Sequence, residues 1–327
     1  MFVVASRYEF CTTPLGTGAF SHVYGGRDQE TGKSVALKVD TSAYRAGARR
    51  RAMVIFEATV LRDLHRENQV QGVPRVYWSG TAPIEPLGEA LPAMVIDHLP
   101  CSLGQWMDQR RRDGHRLSRC QATLLTAELV HIVRSIHQRG YLHRDIKPEN
   151  IMIGDDSHLY LIDFGLSKKY LQGGRHIPYI DQKGSMVGTP RYCATHTHER
   201  VESSRRDDLQ AVFFVFLYLL FQRLPWQSSR RQRYQERQVL RMKREFLLGS
   251  SPTDARYDQW LRRLPREFFQ VTRYVYDLSF EAVPDYERIV RDLLRAFSAR
   301  RTDRRPGAPE PISHAASSGS SVTDPPN

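Results

Sequence analysis

The sequence predicts an α+β fold of two lobes, a β-rich N-terminal lobe followed by an α-rich C-terminal lobe. In the first hundred residues, short apolar stretches such as 35–39 and 94–96 lie between glycine-rich turns, which is typical of β-strands. From about residue 103 the apolar residues recur at helical spacing instead. The chain has 327 residues, roughly two domains' worth of sequence and enough for a sizeable core.

One helix is predicted within the β-rich lobe, between residues 51 and 65. Val54, Ala58 and Leu61 recur there at helical spacing and form one buried stripe. Glu57 lies beside this stripe. The pattern therefore places a carboxylate next to a packed helix face.

The α-rich lobe is marked by two apolar stretches, and a different composition follows it. Residues 125–136 carry leucine, isoleucine and valine on one helical face. Residues 211–221 form the strongest apolar run, but crossing a bilayer takes about 20 residues, so we predict a buried helix and no transmembrane segment. Residues 300–327 are rich in Arg, Pro, Ser, Gly and Ala, and we expect a disordered tail.

Charge and cysteine usage narrow the class of protein. The net charge is +12, which fits nucleic-acid binding, attraction to anionic membranes, recognition of acidic substrates or simply a solvated basic surface. The four cysteines, at positions 11, 101, 120 and 193, form no C-x-x-C pair. The absence of such a pair argues against a zinc site or a disulfide framework. It favours reduced thiols and therefore an intracellular protein, cytoplasmic or nuclear.

Two motifs in the α-rich lobe carry recognisable chemistry. Residues 142–150 read Leu-His-Arg-Asp-Ile-Lys-Pro-Glu-Asn, and Asp163-Phe164-Gly165 begins thirteen residues after Asn150. Either tripeptide alone could be loop filler, but both in this order are typical of a protein kinase. Asp145 is placed to accept the proton of an acceptor hydroxyl, and Asn150 and Asp163 offer hard oxygen ligands for Mg²⁺. The predicted fold is therefore the bilobal protein kinase fold.

The N-terminal lobe offers a matching phosphate-binding loop. Residues 15–23 partly match G-x-G-x-x-G-x-V, with Gly16 and Gly18 present and Ser21 in place of the third glycine. Glycines let the backbone approach phosphates and adopt a positive φ without a Cβ clash. A bare hairpin turn is the alternative. The following Val-Ala-Leu-Lys at 35–38 favours the phosphate loop.

A charged pair is predicted behind this loop. Lys38 would supply the ammonium group for the α- and β-phosphates of ATP, and Glu57 the carboxylate that orients it. The alternatives are a lysine that extends from its strand to solvent and a solvated glutamate on the helix.

Two other patterns resemble binding motifs but do not complete them. Gly32-Lys33-Ser34 resembles the end of a P-loop, but the first glycine of that motif would have to stand where Arg27 is, so we predict a turn between strands. His196 and His198 have no carboxylate or cysteine at ligand spacing, so the sequence does not favour a metal site there.

With these residues in place, the chain resembles the casein kinase I family from about Tyr8 to Ala299. The most specific segments are 161–170 (Leu-Ile-Asp-Phe-Gly-Leu-Ser-Lys-Lys-Tyr), 176–179 (His-Ile-Pro-Tyr), 188–192 (Gly-Thr-Pro-Arg-Tyr), 204–209 (Ser-Arg-Arg-Asp-Asp-Leu), 224–227 (Leu-Pro-Trp-Gln) and 284–286 (Pro-Asp-Tyr). Like that family, the chain lacks the Ala-Pro-Glu that most kinases carry after the activation segment. The resemblance implies a kinase domain over 8–299, with an N-lobe to about 97, a hinge at about 97–100 and a C-lobe over 101–299.

The resemblance also implies a role for each matching position. Ile96 would be the gatekeeper, and the C=O of Asp97 and the N–H of Leu99 would bind adenine at the hinge. Lys147 would mark serine/threonine specificity and contact the transferred phosphoryl group. Thr189 would support the catalytic loop, and Asp208 would anchor its backbone. The implied nucleotide site comprises Leu15, Gly16, Gly18, Val23, Ala36, Lys38, Ile96, Asp97, Leu99, Asn150 and Asp163.

The family uses a small anion site that binds a phosphate or carboxylate upstream of the acceptor. Arg191 matches its arginine, and Arg230 and Arg233 stand where the family tends to have lysines. Guanidinium groups bind phosphate oxygens well. An exposed arginine cluster without function is the alternative.

The chain departs from the family at several positions. Ser21 replaces a loop glycine, Pro190 is closer to the general kinase pattern, and residues 193–196 read Cys-Ala-Thr-His instead of Ala-Ser-Ile-Asn. Phe213 stands where the central helix usually has glycine. None of these changes removes a catalytic group, so a divergent member is indicated.

The sequence therefore predicts a monomeric serine/threonine kinase that uses ATP and Mg²⁺ and prefers acidic or phosphorylated protein substrates. We also expect activity without phosphorylation of the activation loop. The alternative is a pseudokinase scaffold that binds nucleotide or partners without transfer, although Lys38, Asp145 and Asp163 are all present. Nucleic-acid binding is at most secondary, because no recognition motif accompanies the basic charge.

Overall fold

The computed structural model describes residues 1–18, 20–42, 53–181, 184–227, 235–248, 257 and 260–298. The predicted tail 300–327 lies outside these residues, as do Arg230 and Arg233.

The N-terminal lobe is built on a six-stranded antiparallel sheet with the strand order β1-β2-β3-β4-β6-β5. Its strands are β1 (Phe2–Val4), β2 (Tyr8–Thr17), β3 (Ser21–Asp28), β4 (Ser34–Asp40), β5 (Val76–Ile84) and β6 (Glu89–Asp97). β1 lies before Tyr8, the predicted domain start, and pairs with β2 in the register Phe2–Phe10. The sheet therefore extends further toward the N-terminus than the family resemblance implies.

Alternation along β4 separates a packed face from a cleft face. Val35, Leu37 and Val39 are buried in a core on one side of the sheet. Because successive side chains of a strand point to opposite faces, Ala36 and Lys38 lie on the other side. This alternation places the Lys38 side chain toward the lobe interface.

Helix α1 (Met53–Leu64) is the helix predicted within this lobe, and its position confirms that prediction. It packs against β4, β5 and β6. Val54, Ala58 and Leu61 are buried, as their spacing predicts, and Glu57 is also buried. Since a buried carboxylate is costly without a partner, the fold must supply one.

The C-terminal lobe is mostly helical. Its helices are α2 (Leu103–Arg112), α3 (Arg119–Gln138), α4 (Thr195–His198), α5 (Arg205–Phe221), α6 (Glu236–Leu248), α7 (Arg266–Tyr276) and α8 (Tyr286–Ser298). Its short strands are β7 (Cys101–Ser102), β8 (Tyr141–Leu142), β9 (Ile151–Ile153), β10 (Leu159–Leu161), β11 (Lys168–Lys169), β12 (Leu171–Gln172) and β13 (Arg175–His176). They pair as β10-β9-β7, β11-β8 and β12-β13.

Serine capping boxes start the first two helices of this lobe. The hydroxyl of Ser102 accepts from the N–H of Gln105, and that of Ser118 accepts from the N–H of Gln121. Each glutamine side chain in turn accepts from the backbone N–H of its serine, so two otherwise unpaired donors are satisfied at each helix start. These caps fix where α2 and α3 begin.

Helix α5 is buried on all sides along most of its length, which confirms the buried helix predicted at 211–221. It packs against α3, α7 and α4. Phe213 is fully buried, with its ring against that of Phe268, so a large side chain is accommodated where the family usually has glycine. Within the part of the chain that the structure describes, no helix is long and apolar enough to cross a membrane.

Candidate active site

Asp208 of α5 anchors the catalytic loop 142–150. The Asp208 carboxylate accepts from the backbone N–H of His143 at 2.8 Å and of Arg144 at 2.9 Å. It also accepts from Nε2 of His137 at 3.0 Å. Burial alone would raise the pKa of Asp208, but these donors lower it, so the carboxylate stays charged. The anchoring that the resemblance implied for Asp208 is present.

Asp145 is held in one orientation by three donors. The Thr189 hydroxyl donates to its Oδ1 at 2.7 Å, and Lys147 Nζ donates to its Oδ2 at 2.6 Å. Asn150 Nδ2 donates to Oδ2 at 3.1 Å. The side chain is buried, and the three donors fix its orientation. An oriented carboxylate at this position is able to accept a proton from a hydroxyl placed beside it.

A glycine lets the activation segment, which here contains residues 188–192, approach the catalytic loop closely. Gly188 has a φ of 92°, and a Cβ there would lie 2.5 Å from the carbonyl oxygen of Arg144. Any side chain at 188 would therefore push Thr189 away from Asp145.

Lys38 of β4 forms ion pairs with two carboxylates. Its Nζ lies 2.6 Å from Glu57 Oε2 and 2.8 Å from Asp163 Oδ1. Burial alone would lower the pKa of Lys38, but the two carboxylates outweigh it and raise that pKa. Glu57 Oε1 also accepts from the backbone N–H of Phe164 at 3.1 Å. One glutamate thus joins the lysine strand to the Asp163-Phe164-Gly165 turn.

The turn itself is conformationally constrained. Asp163 has a φ of 67°, a left-handed conformation that non-glycine residues adopt rarely and mainly at functional sites. The next residue, Phe164, is fully buried, and its ring packs edge-on against His143 at 4.9 Å. Burial lowers the pKa of His143, whose Nε2 donates to the carbonyl of Ile162. The turn and the catalytic loop therefore pack as one unit.

Asn150 and Asp163 suit a hard cation. Asn150 directs its Nδ2 to the Asp145 carbonyl and carboxylate, which leaves its Oδ1 as the atom for a metal. Mg²⁺ in nucleotide sites typically takes one or two protein oxygens together with phosphates and waters. Among the described residues, no group of three or more His, Cys, Asp or Glu could hold a metal alone. These two side chains would hold Mg²⁺ only together with phosphate oxygens.

The glycine loop lies between β2 and β3. Gly16 and Gly18 are not among the described residues with a positive φ. A Cβ on Gly16 would meet no atom within 4 Å, and the N–H of Gly18 donates to the carbonyl of Ser21 at 2.7 Å. The loop leaves open space above the cleft, with Leu15 exposed at its edge.

The remaining predicted nucleotide residues lie on the adjoining strands. Val23 of β3 pairs with Lys38, and Ala36 of β4 pairs with Ile96 of β6. The sheet register therefore brings these four residues into one strip that leads to the hinge, where Leu99 follows.

The Asp97 side chain is fixed at the end of β6, where the predicted hinge begins. Its carboxylate accepts from Lys33 Nζ at 2.7 Å, from the Tyr77 hydroxyl at 2.6 Å and from the backbone N–H of Arg75 at 2.7 Å.

The segment Gly32-Lys33-Ser34, which resembles the end of a P-loop, lies at a turn. Gly32, with a φ of 70°, turns the chain between β3 and β4, which confirms the turn predicted there. Sequence reasoning missed the Lys33–Asp97 pair because no motif joins residues 64 positions apart.

A second missed cluster joins α1 to the C-terminal lobe. Asp63 accepts from the Tyr141 hydroxyl at 2.7 Å and from Lys169 Nζ at 3.0 Å. Lys169 also lies over the Tyr141 ring at 5.2 Å. Because Glu57 is on the same helix, this cluster restrains the carboxylate that pairs with Lys38. No local signal in the sequence marks these three residues.

A groove of about 820 Å³ runs from the glycine loop to the activation segment. It is lined by Thr17, Gly18, Lys147, Glu149, Asn150, Thr189, Pro190, Arg191, Tyr192, Trp226, Gln227 and Val239. Arg191 is exposed there, with its guanidinium 5.9 Å from the centre of the Tyr192 ring. The groove therefore offers a cation on the activation segment and the acidic Glu149 on the catalytic loop.

The two lobes and the charged cleft between them define the protein kinase fold. The protein kinase domain family matches residues 11–315, and the chain belongs to that family. It is also 35% identical over 223 residues to a probable casein kinase I homolog of Encephalitozoon cuniculi (strain GB-M1). That alignment covers 67% of this chain and 64% of the relative, so the chain spans just under two thirds of the relative's length. A protein kinase domain implies ATP as the phosphoryl donor and proteins as acceptors.

Proposed function

We propose that this protein is a serine/threonine kinase that transfers the γ-phosphoryl group of ATP to protein substrates. The observation that carries the proposal is the oriented Asp145 carboxylate, held by Thr189 and Lys147. ATP with Mg²⁺, when bound, supplies the transferable phosphoryl group and the metal charge that neutralises it.

The chain's own residues would divide the remaining work. Asp145 would accept the proton of the serine or threonine hydroxyl, and Lys147, 2.6 Å from it, would offset charge near the transferred group. Lys38 would hold the phosphates, and Asn150 and Asp163 would hold Mg²⁺. Catalysis would then be mostly positioning and electrostatic stabilisation.

The proposed kinase domain spans about 8–299, with the hinge at about 97–100 and the tail 300–327 outside it. The end of β6 at Asp97 and the start of β7 at Cys101 and α2 at Leu103 support the position of this hinge. We propose a monomeric, intracellular protein, in the cytoplasm or the nucleus. The four free cysteines support a reducing compartment.

We further propose that acceptor sites near acidic or phosphorylated residues are preferred. Arg191 supports this preference, because it lies exposed in the groove that Lys147 also lines. The name of the casein kinase I homolog also fits an acidic protein substrate. The assignment of Arg230 and Arg233 to the same anion site rests on the sequence alone.

Radiolabel transfer from γ-labelled ATP to acidic casein tests the kinase activity. We expect transfer by the wild type, none by Asp145→Asn, and normal transfer by Asp155→Asn, a matched change in an exposed turn. A wild type that binds nucleotide and transfers nothing would overturn the proposal in favour of the pseudokinase scaffold.

A matched peptide pair, with and without an upstream phosphoserine, tests the substrate preference. We expect the wild type to favour the phosphorylated peptide and Arg191→Ala to lose that preference. Arg175→Ala, which removes an exposed arginine from β13, should keep it. Equal transfer to both peptides by the wild type would retain the kinase and reject the anion site.

Independence from activation-loop phosphorylation is a separate proposal. It is supported by the Lys168–Glu202 pair at 2.9 Å, in which the fully buried Glu202 supplies a carboxylate partner to a lysine close after the Asp163-Phe164-Gly165 turn. Protein made without any co-expressed kinase should be fully active and unchanged by phosphatase. Loss of activity after phosphatase treatment would contradict this.

A further inference from the structure

Lys243 of α6 is a buried cation that the proposed mechanism does not use. Its side chain is 0% exposed. Its Nζ donates to the carbonyl oxygen of Pro190 at 2.8 Å and of Cys193 at 2.6 Å, and lies 3.1 Å from His198 Nε2. An ammonium group has three N–H donors, so all three have an acceptor.

The surroundings of this ammonium are neutral. Phe214 and Trp226 present their rings to it at 4.8 and 5.6 Å. Burial lowers the pKa of Lys243 to about 8. A hydrophobic residue of similar volume would often be neutral or stabilising in place of a buried charge. Stability alone therefore gives little reason for a lysine here, and its directed hydrogen bonds give a better one.

The carbonyls that Lys243 holds belong to the segment 190–193. This segment follows Thr189, whose hydroxyl donates to Asp145, and three of its residues line the 820 Å³ groove. Trp226 Nε1 donates to a third carbonyl of the segment, that of Arg191, at 2.8 Å. Side chains from α6 and from the loop after α5 thus hold one wall of the groove next to the proposed base.

The His198 ring contacts both Lys243 and Cys193. Its Nε2 also lies 3.4 Å from the Cys193 sulfur. Burial lowers the pKa of His198 to about 3, so the ring is neutral and accepts from Lys243 near neutral pH. Lys243 therefore bonds α6 to both Cys193 and His198, and residues 193–196, which depart from the family pattern, lie within this stretch.

We propose that Lys243 is a positioning residue for the protein substrate: it fixes the wall formed by 190–193, against which the residues flanking the acceptor bind. This proposal rests on the proposed kinase function and deepens it. Lys243 touches neither the nucleotide residues nor Asp145 directly, so its effect should fall on the peptide and spare ATP.

The principal variant is Lys243→Met, which keeps the length and apolar stem and removes the three donors. We expect the KM for the phosphoserine peptide to rise about tenfold, a change that corresponds to about 1.4 kcal/mol and falls within the range for a typical intramolecular hydrogen bond. The KM for ATP and the rate of ATP hydrolysis without peptide should change less than about twofold. A twofold change corresponds to less than half of the free energy of a tenfold change. Lys243→Gln keeps two N–H donors without the charge and should recover part of the loss.

Two controls separate positioning from general damage. Met242→Ala opens a cavity at the neighbouring buried position of the same helix, so it should lower the melting temperature without raising the peptide KM. Arg241→Met removes an exposed cation from α6 and should leave both KM values unchanged. Amide hydrogen exchange within 189–193 should accelerate in Lys243→Met alone.

The outcomes separate this proposal from the kinase function itself. Equal losses for peptide and ATP in Lys243→Met, or an unchanged peptide KM in a folded variant, would overturn the positioning role. If Lys243→Met does not fold, Lys243→Gln decides the matter by the same comparison. If the wild type transfers no phosphoryl group, the kinase function fails, and calorimetric binding of the same peptide still tests Lys243. Equal peptide binding by the wild type and Lys243→Met would then reject the positioning role of Lys243.

Discussion

The Nζ of Lys38 and the Oδ1 of Asp163 lie 2.8 Å apart, although 125 positions separate the two residues in the chain. Glu57 holds the same ammonium at 2.6 Å. The Lys38 ammonium therefore links strand β4 to helix α1 and to the turn after β10. Glu57 is buried, so removing the ammonium would leave its carboxylate as an unpaired buried charge, and changes here should be costly.

Glu57→Gln tests how far this ammonium depends on its orientation. The amide removes the charge that holds Lys38 on the α1 side, so Lys38 should turn toward Asp163, its remaining carboxylate partner. We expect kcat to fall at least about tenfold, equivalent to about 1.4 kcal/mol of barrier. Steady-state kinetics measure this, with the exposed Glu85→Gln as control. An unchanged kcat would show that Glu57 does not orient Lys38.

Asp208→Ala tests the anchor beneath the catalytic loop. It leaves the buried N–H groups of His143 and Arg144 without their acceptor, so we expect a loss of about 3 kcal/mol in the free energy of unfolding. Urea denaturation measures the loss, and the exposed Asp155→Ala should cost little. A loss below that of the control would contradict the anchoring role.

The same variant gives a pH dependence. The pKa of Asp208 is lowered in the folded protein from its ordinary 3.8. Its stabilising contribution is therefore present above that value and is lost as the pH falls below it. The gap in unfolding free energy between wild type and Asp208→Ala should be constant near pH 7 and shrink below about pH 4. A gap that grows on acidification would reverse the expected sign.

His198 should make the protein sensitive to mild acid. Burial lowers its pKa from 6.5 to about 3, so the unfolded chain binds the proton first as the pH falls below 6.5. Stability should decline from that point down to about pH 3. One pKa unit is worth about 1.4 kcal/mol, so the share due to His198 should reach about 2 kcal/mol by pH 5.

The variant His198→Gln isolates that share, because glutamine does not titrate and still offers an oxygen to Lys243. Unfolding free energies of the two proteins should converge as the pH is lowered from 7 to 5. Parallel curves over this range would mean that His198 does not carry the acid sensitivity.

The cysteines should react with iodoacetamide in order of exposure. Cys11 and Cys120 are exposed, while burial raises the pKa of Cys101 and of the buried Cys193 and disfavours their reactive thiolates. Mass spectrometry of timed samples should show Cys11 and Cys120 modified first and Cys193 last. Denatured protein, in which all four react alike, is the control. Early modification of Cys193 would place the 190–193 wall in a more open state.

Much of the fold was predictable because its signals are local. The stripe of Val54, Ala58 and Leu61 predicted α1, and the apolar run 211–221 predicted the buried part of α5. The strand β1 was missed because a three-residue strand carries too little pattern. The family resemblance, which begins at Tyr8, also gave no reason to extend the sheet.

The candidate site was predictable where its residues are close in sequence. Asp145, Lys147 and Asn150 were selected together from one loop, and the structure brings their side chains into contact. The functional roles of these residues stay predictions until the variants are measured.

By itself the sequence determined the class of the protein, since the spacing of the catalytic loop, the Asp-Phe-Gly turn and the Val-Ala-Leu-Lys strand is written along the chain. The tertiary structure decided which charges meet. Lys243 carries no motif, and its fifty-residue separation from Cys193 leaves no local trace. Burial and partner identity arise only when distant segments pack together, and a buried ammonium must take the acceptors that the fold places around it.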